Sequence, residues 1–297
     1  MESLESVVRE AARAHRHIYF RTQFGNAGDA LINAGFYCLA DRLGLRYREL
    51  RGDSFVLPPA TRDDLVILTG GGSLSEHWDS GANALAHFTQ QEAPLLILPS
   101  SLNGNEDVLR LLRPIDTLIL RDAYSAQFAR SLELRARLLL TDDTAFSVDV
   151  ERLLAISPWR APRRSDDLRR AAAFAQHRLR AARGETLYAW RLDEESVRDT
   201  SAFRRRDDIS QLADFGTMDR ASSCYSAQWM LRIARWYERV ETDRLHFAIA
   251  CVLAGTPVTL HPNDHHKIVG VYELSLAPHP ARSRLARFAG NLPSATV

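Results

Sequence analysis

Lysine is almost absent from this sequence: Lys267 stands alone in a chain of 297 residues in which lysine and arginine together number 38. A compact ammonium kept amid so strong an arginine bias marks a place where a guanidinium fork does not fit. Cysteine is scarce as well. Cys38, Cys224 and Cys251 lie in apolar contexts with no CxxC spacing, which argues against a zinc ribbon or a disulfide framework and for a reducing cytoplasm. No apolar run approaches the roughly 20 residues that span a bilayer. The opening MESLESVVREAARAH reads as a charged amphipathic helix rather than a signal peptide. A net charge of +1 gives no global attraction to nucleic acid. Neither GxGxxG nor the GK[ST] ending of a P-loop is found, so neither a dinucleotide nor a P-loop nucleotide site is implied. His261, His265 and His266 have no acidic or thiolate partner at regular spacing, and no metal is expected.

What is there is alternation. Short apolar runs at His17 to Thr22, Leu45 to Leu50, Leu65 to Thr69, Leu95 to Ser100, Thr117 to Leu120 and Arg137 to Leu140 read as strands. Helical patterns fall between most of them, at Asp29 to Leu43, Ala82 to Gln91, Glu106 to Leu112 and Ala123 to Leu132. This order predicts an α/β fold with a doubly wound parallel sheet. From Ser157 to Gly184 the character changes to prolines and an arginine-dense, solvent-facing helix. A second alternating region follows, with a strand at Thr186 to Trp190, a polar loop from Asp193 to Ser223, a helix from Ser226 to Tyr237 and a strand, helix, strand unit from Thr242 to His261. The expected organisation is an N-terminal Rossmann-like domain over 1–156, a linker and helix over 157–184, and a C-terminal Rossmann-like domain over 185–297. Two such domains facing each other leave a cleft lined by strand carboxyl ends. The tail from Ala277 reads as extended.

Within that frame three turns can meet a ligand. FGNAGD, Phe24 to Asp29, stands between a strand and its helix, where glycine lets backbone approach a ligand and Asp29 caps. TGGGSL, Thr69 to Leu74, suggests a nest of N–H donors or a surface that lies flat against substrate, with Ser73 as a capping or contacting hydroxyl. The segment from Thr242 to Glu273 is the most informative. Thr242 or Asp243 caps a helix whose stripe is Leu245, Ala248, Ile249 and Val252, and Gly255 with Pro257 ends it. Arg244 and His246 sit in its first turn and the following strand delivers Lys267, so an anion such as phosphate or carboxylate is the expected ligand. On an ideal helix residues two apart diverge, so Arg244 and His246 share a ligand only if the loop-to-helix turn lies between them. Arg121 closes the strand TLIL and points toward the cleft, with a structural pair to Asp122 as the alternative. Asp142, Asp143 and Thr144 read as loop or supporting residues.

Taken together, GNAGD at 25–29, GGGSL at 70–74, RDAYS at 121–125, DRLH at 243–246 and the HKIVGVYE run from 266 resemble the polysaccharide pyruvyl transferase family, in order and spacing over roughly residues 18–275. The stretch from Arg191 to Ser223 is long and polar beside the family pattern, and DDTAF at 142–146 matches loosely. The resemblance implies a GT-B-like pair of domains and transfer of a pyruvyl group from phosphoenolpyruvate, as co-substrate and without a further cofactor, to a sugar of a bacterial exopolysaccharide. It carries over Arg121, the Arg244, Leu245 and His246 segment, Asp29 and the loop Gly70 to Ser73. The charge and proton chemistry of such a donor then assigns His246, Arg121 and Asp29 as catalytic and Asn26, Gly71, Gly72, Ser73, Arg244, Leu245 and Lys267 as substrate-binding. The alternatives are a GT-B-type glycosyltransferase using a nucleotide sugar and a non-catalytic assembly subunit. A lipid-linked oligosaccharide is a candidate acceptor, with peripheral contact between the arginine-rich helix and anionic lipid at the inner face of the membrane.

Overall fold

Side chains alternate between the two faces of a strand, so a strand apolar on both faces needs cover on both. The computed structural model, which describes residues 2–51, 60–76, 79–158, 165–192, 207–263 and 266–290, supplies that cover. In the first half the strands are β1 (His17–Arg21), β2 (Arg48–Leu50), β3 (Asp64–Leu68), β4 (Gly71–Ser75), β5 (Leu95–Asn103), β6 (Thr117–Leu120) and β7 (Arg137–Leu140). The helices there are α1 (Leu4–Arg13), α2 (Ala27–Leu43), α3 (Asp79–Phe88), α4 (Glu106–Leu109), α5 (Ala123–Ser131) and α6 (Val150–Leu154). Ile18, Phe20, Leu65, Ile67, Leu96, Leu98 and Ile119 pack against α1 and α2. Tyr19, Val66, Leu68, Leu95, Ile97, Leu118 and Leu120 point the other way, onto α3, α4 and α5. All pairings in this sheet are parallel, in the order β2-β1-β3-β5-β6-β7 with β4 added beside β5. The order reverses between β1 and β3, the switch point at which doubly wound sheets bind ligands.

The second half holds α7 (Ser165–Ala182), β8 (Leu187–Ala189), α8 (Ile209–Leu212), α9 (Arg220–Trp236), β9 (Val240–Thr242), α10 (Leu245–Ala254), β10 (Val258–Leu260), α11 (Lys267–Val271), α12 (Pro280–Ser283) and β11 (Ala286–Phe288). Its sheet is parallel too, but its order, β11-β10-β9-β8, contains no reversal. Among the described residues the doubly wound topology therefore belongs to the first sheet. The two halves share apolar packing. Ala27, Leu31 and Ala34 of α2 belong to the same cluster as Met230, Leu231 and Ala234 of α9 and Phe247, Ala248 and Cys251 of α10. Gly35 allows this closeness at a third partner, since a Cβ there would lie 2.1 Å from the Thr144 carbonyl oxygen.

Several local expectations change. TGGGSL is not a nest: residues 71–75 form β4, paired with β5 at Gly71 and Ser100. Lys267 is not delivered by a strand but opens α11. The tail is not extended, because α12 turns it back and β11 joins the edge of the second sheet. Neither Thr242 nor Asp243 caps α10. Arg244 is the N-cap, Thr242 Oγ1 accepts its N–H at 3.0 Å, and Asp243 Oδ1 accepts the N–H of Arg191 at 2.8 Å. The polar loop expected from Asp193 is interrupted at its described end by α8, and α9 begins at Arg220 on an Asp219 cap. The arginine-dense helix is not solvated all round, since Phe174 stacks on Trp229 at 4.0 Å and His177 meets the Tyr237 hydroxyl at 2.7 Å. Residues 193–206 and His265 lie outside the described residues. Burial pushes the Cys224 thiol up to about 12 and raises Cys38 and Cys251 as well, in keeping with inert packing roles.

Candidate active site

The loop after β1 enters α2 through a reciprocal cap. Asn26 Oδ1 accepts the Gly28 N–H at 2.8 Å, and Asp29 Oδ2 accepts the Asn26 N–H at 2.9 Å. Beside it, the three glycines after β3 serve three separate needs. A Cβ at Gly70 would lie 2.2 Å from the Pro99 carbonyl oxygen on β5, and Gly71 has φ of 114°, which only glycine adopts without strain. Gly72 lines the cleft together with Ser73.

Arg121 follows β6 and is fully buried. Its Nε donates to Ser101 Oγ at 2.9 Å and its Nη1 to Asp143 Oδ2 at 2.6 Å. The alternative partner, Asp122, is engaged elsewhere: it caps α5 through Ser125 and accepts from the Ser101 hydroxyl at 2.7 Å. Gly270 of α11 is pressed against it, for a Cβ there would lie 2.6 Å from Asp122 Cβ. His266 Nε2 is 3.5 Å from Asp122 Oδ1 and 3.3 Å from Ser125 Oγ. The Arg-Asp turn thus sends its arginine into the cleft and uses its aspartate as a seat for the helix that begins with Lys267.

From the other half come Arg244, Leu245 and His246. The N-cap residue Arg244 is extended (φ −95°, ψ 104°) and His246 is already helical, so the loop-to-helix turn lies between them and both reach the cleft. Arg244 is ion-paired with Asp208. His246 Nε2 is 3.0 Å from Arg121 Nη1 and 3.4 Å from Asp143 Oδ2. Its Nδ1 side lies over Gly28, 3.2 Å from where a Cβ of that residue would be. Arg121, Asp143 and His246 therefore form one cluster across the two halves.

The electrostatics of the two carboxylates differ. Burial would raise Asp143, but the Arg121 guanidinium and the neighbouring His246 imidazole outweigh it and hold the carboxyl well below the usual carboxylate range. For Asp29 burial wins and raises the carboxyl, in spite of His246, the Asn26 N–H, Arg121 and Lys267. Burial lowers His266.

A cleft of about 270 Å³ collects these groups. Of the residues expected at a site, Asn26, Asp29, Gly72, Ser73, Arg121, Arg244, Leu245, His246 and Lys267 line it, and Gly71 does not, its role being conformational. Sequence reasoning missed Arg191, which lines the cleft between the end of β8 and Asp243, and gave Asp143 no more than a supporting place. Gln23, Phe24, Asp79, Ser80 and Ser210 line it too. No sequence signal separates Asp143 from its neighbour Asp142, which pairs instead with Arg282 at 2.8 Å. Among the described residues no group of three or more His, Cys, Asp or Glu is arranged to hold a metal, and no helix is long and apolar enough to cross a membrane.

The sequence model of the family described as "Polysaccharide pyruvyl transferase" matches residues 13–265. The fold is similar to the crystal structure of a functionally uncharacterized protein from Klebsiella pneumoniae, with a TM-score of 0.74 at 22% identity over 97% of each chain. No curated protein matches the chain.

Proposed function

The chain belongs to the polysaccharide pyruvyl transferase family, and from that premise we propose that it transfers a pyruvyl group from phosphoenolpyruvate to two hydroxyls of one sugar in a bacterial exopolysaccharide repeat unit. The product is a ketal and the leaving group is phosphate. The observation that most supports this reading is the 3.0 Å approach of Arg121 to His246 across the two halves, within a cleft that also holds Arg191, Arg244 and Lys267. In the same reading 1–156 and 185–297 work as a GT-B-like pair of domains joined through 157–184.

The chemistry follows from charge. Phosphoenolpyruvate carries a carboxylate and a phosphate, which call for several cations and oriented N–H groups. Arg121 and Arg244 hold these anions, Lys267 follows the phosphate as it leaves, and the N-cap residue Arg244 makes no side-chain cap at the start of α10. A proton goes to the methylene carbon, the adjacent carbon becomes oxocarbenium-like, and one sugar hydroxyl adds there. A second hydroxyl then displaces phosphate, so that two hydroxyl protons leave the sugar while one enters the new methyl group and the other leaves with phosphate. Histidine is the natural donor near neutral pH. An arginine N–H can only donate, so in the ligand-free cleft Nε2 of His246 is an acceptor. When the anionic donor draws Arg121, Nε2 takes a proton from solvent and donates it in a hydrogen bond to the ionised Asp143, and Nδ1 is the atom that protonates carbon. Asp29, whose carboxyl is raised by burial, accepts the proton of the attacking hydroxyl.

The gathering of Arg121, Arg191, Arg244 and Lys267 in one cleft suits a small donor with two anionic groups. Calorimetric titration with phosphoenolpyruvate and with a uridine diphosphate sugar tests this. Binding of the first alone is expected, and binding of the second alone would transfer the reading to a glycosyltransferase. Absence of donor binding and of phosphate release would identify a non-catalytic assembly subunit. A lipid-linked oligosaccharide is the natural acceptor if α7, which exposes Leu168 and Leu179, touches anionic lipid. Liposome flotation that ignores lipid charge would remove that contact.

A further inference from the structure

The lining of the cleft is of two kinds: Arg121, Arg191, Arg244 and Lys267 supply positive charge, whereas the rim formed by the loop after β1 and the start of α3 offers Phe24, Gln23, Asp79 and Ser80. Of the six exposed large apolar side chains among the described residues, Phe24 is the one that lines the cleft, and it is 58% exposed. This exposure does not come from a slack loop. The Gln23 N–H donates to Asn33 Oδ1 at 3.2 Å and the Gly25 N–H to Thr217 Oγ1 at 3.2 Å, while the Thr22 hydroxyl donates to the Met218 carbonyl at 3.2 Å. The backbone is tied on both sides of Phe24, to α2 and to the segment before α9, and the ring stays exposed where it lines the cleft. Gln23 Nε2 reaches Ser80 Oγ at 3.4 Å, which turns an amide and a hydroxyl toward the same space.

We propose that Phe24 is the stacking platform of the acceptor subsite and that the subsite takes a neutral pyranose, held by its apolar C–H face on the ring and by its hydroxyls on Gln23, Ser80 and Asp79. An aromatic face gives a sugar apolar contact without asking for charge, and a few polar groups beside it fix orientation. With an anion held on the cationic lining, Asp79 sets the charge preference of the remaining space: a carboxylate at the rim accepts hydroxyl hydrogen bonds and repels an anionic sugar. The subsite rests on the pyruvyl transfer reading for its purpose but not for its test.

The test is saturation-transfer NMR of methyl glucopyranoside, methyl galactopyranoside and methyl glucuronoside on the full chain, its Phe24→Ala and Phe24→Trp variants, with phosphoenolpyruvate affinity measured calorimetrically in parallel. With inorganic phosphate held on the cationic lining, the neutral glycosides are expected to bind the unmodified chain in preference to the glucuronoside. Phe24→Ala should weaken them about tenfold, Phe24→Trp should retain them, and phosphoenolpyruvate affinity should stay within about twofold in both. No transfer to either neutral glycoside, transfer unchanged by Phe24→Ala, or a preference for the glucuronoside would each overturn the assignment. Failure of phosphoenolpyruvate to bind any of the proteins, with sugar binding still dependent on Phe24, would sink the donor reading and leave the subsite standing.

Discussion

At the scale of single residues, the site depends on two carboxylates driven in opposite directions. Asp143 sits below its ordinary value of 3.8, so its stabilising contribution is complete above that value and is lost as pH falls through the lower folded value. Asp143→Asn should cost about 3–5 kcal/mol at neutral pH, because a buried ion pair is broken and Arg121 is left with an uncompensated charge. Urea unfolding should record this loss, and the gap between the two proteins should narrow in strong acid. Asp29 follows the opposite sign. Its folded value lies above 3.8, so no penalty exists below 3.8, and stability is lost as pH rises through the interval up to the folded value. Asp29→Asn should therefore raise the Tm at neutral pH, leave it unchanged below 3.8, and abolish turnover; a lower Tm at neutral pH would contradict the burial argument. Much of this residue-level picture was legible in the sequence. Lys267 and the Arg244, Leu245 and His246 of the DRLH turn, all of which line the cleft, drew notice because a lone lysine and a histidine at a helix start stand out against an arginine background. Asp143 and Arg191 did not stand out, since nothing along the chain distinguishes an aspartate that meets Arg121 from one that meets Arg282.

At the scale of elements, strands that are short continuous apolar runs were easy to locate, and β6 and β7 have the expected ends. What escaped were elements whose residues carry no such signature. β4 is Gly-Gly-Ser-Leu-Ser, with little intrinsic strand preference, and it exists because β5 is long enough to pair beyond Ser100 while Gly70 allows the backbones to approach. β11 is three residues in an arginine-rich tail and is defined by its partner β10. The helix α2 shows how position overrides pattern. It has no polar face to speak of, because it is packed by the first sheet on one side and by α9 and α10 on the other. Its tightest point is Gly35 against Thr144, where added volume meets backbone that cannot rotate aside. Gly35→Ala should cost about 1–3 kcal/mol by denaturant unfolding, more than its gain in helix propensity returns. A neutral or stabilising effect would mean that α2 and the 144–147 turn are farther apart in solution.

At the scale of the whole molecule, the shared core predicts how the protein unfolds. Since α2 contributes to the apolar clusters of both halves, neither half can keep its core after the other opens. Scanning calorimetry should give one cooperative transition, and two well-separated transitions would show that the halves are energetically independent. The same coupling supports function, because Arg121 and Asp143 come from the first half and His246 from the second, and any displacement of one half separates the proton donor from its partners. The central claim, that His246 protonates the methylene carbon of phosphoenolpyruvate as the sugar adds, is tested most directly by running the reaction in heavy water and examining the transferred group by mass spectrometry and NMR. A ketal whose methyl group carries a single solvent deuterium is expected, with His246→Ala slowing its formation about 100-fold or more. A product that retains its methylene group, or deuterium incorporation at an unchanged rate in His246→Ala, would contradict the account.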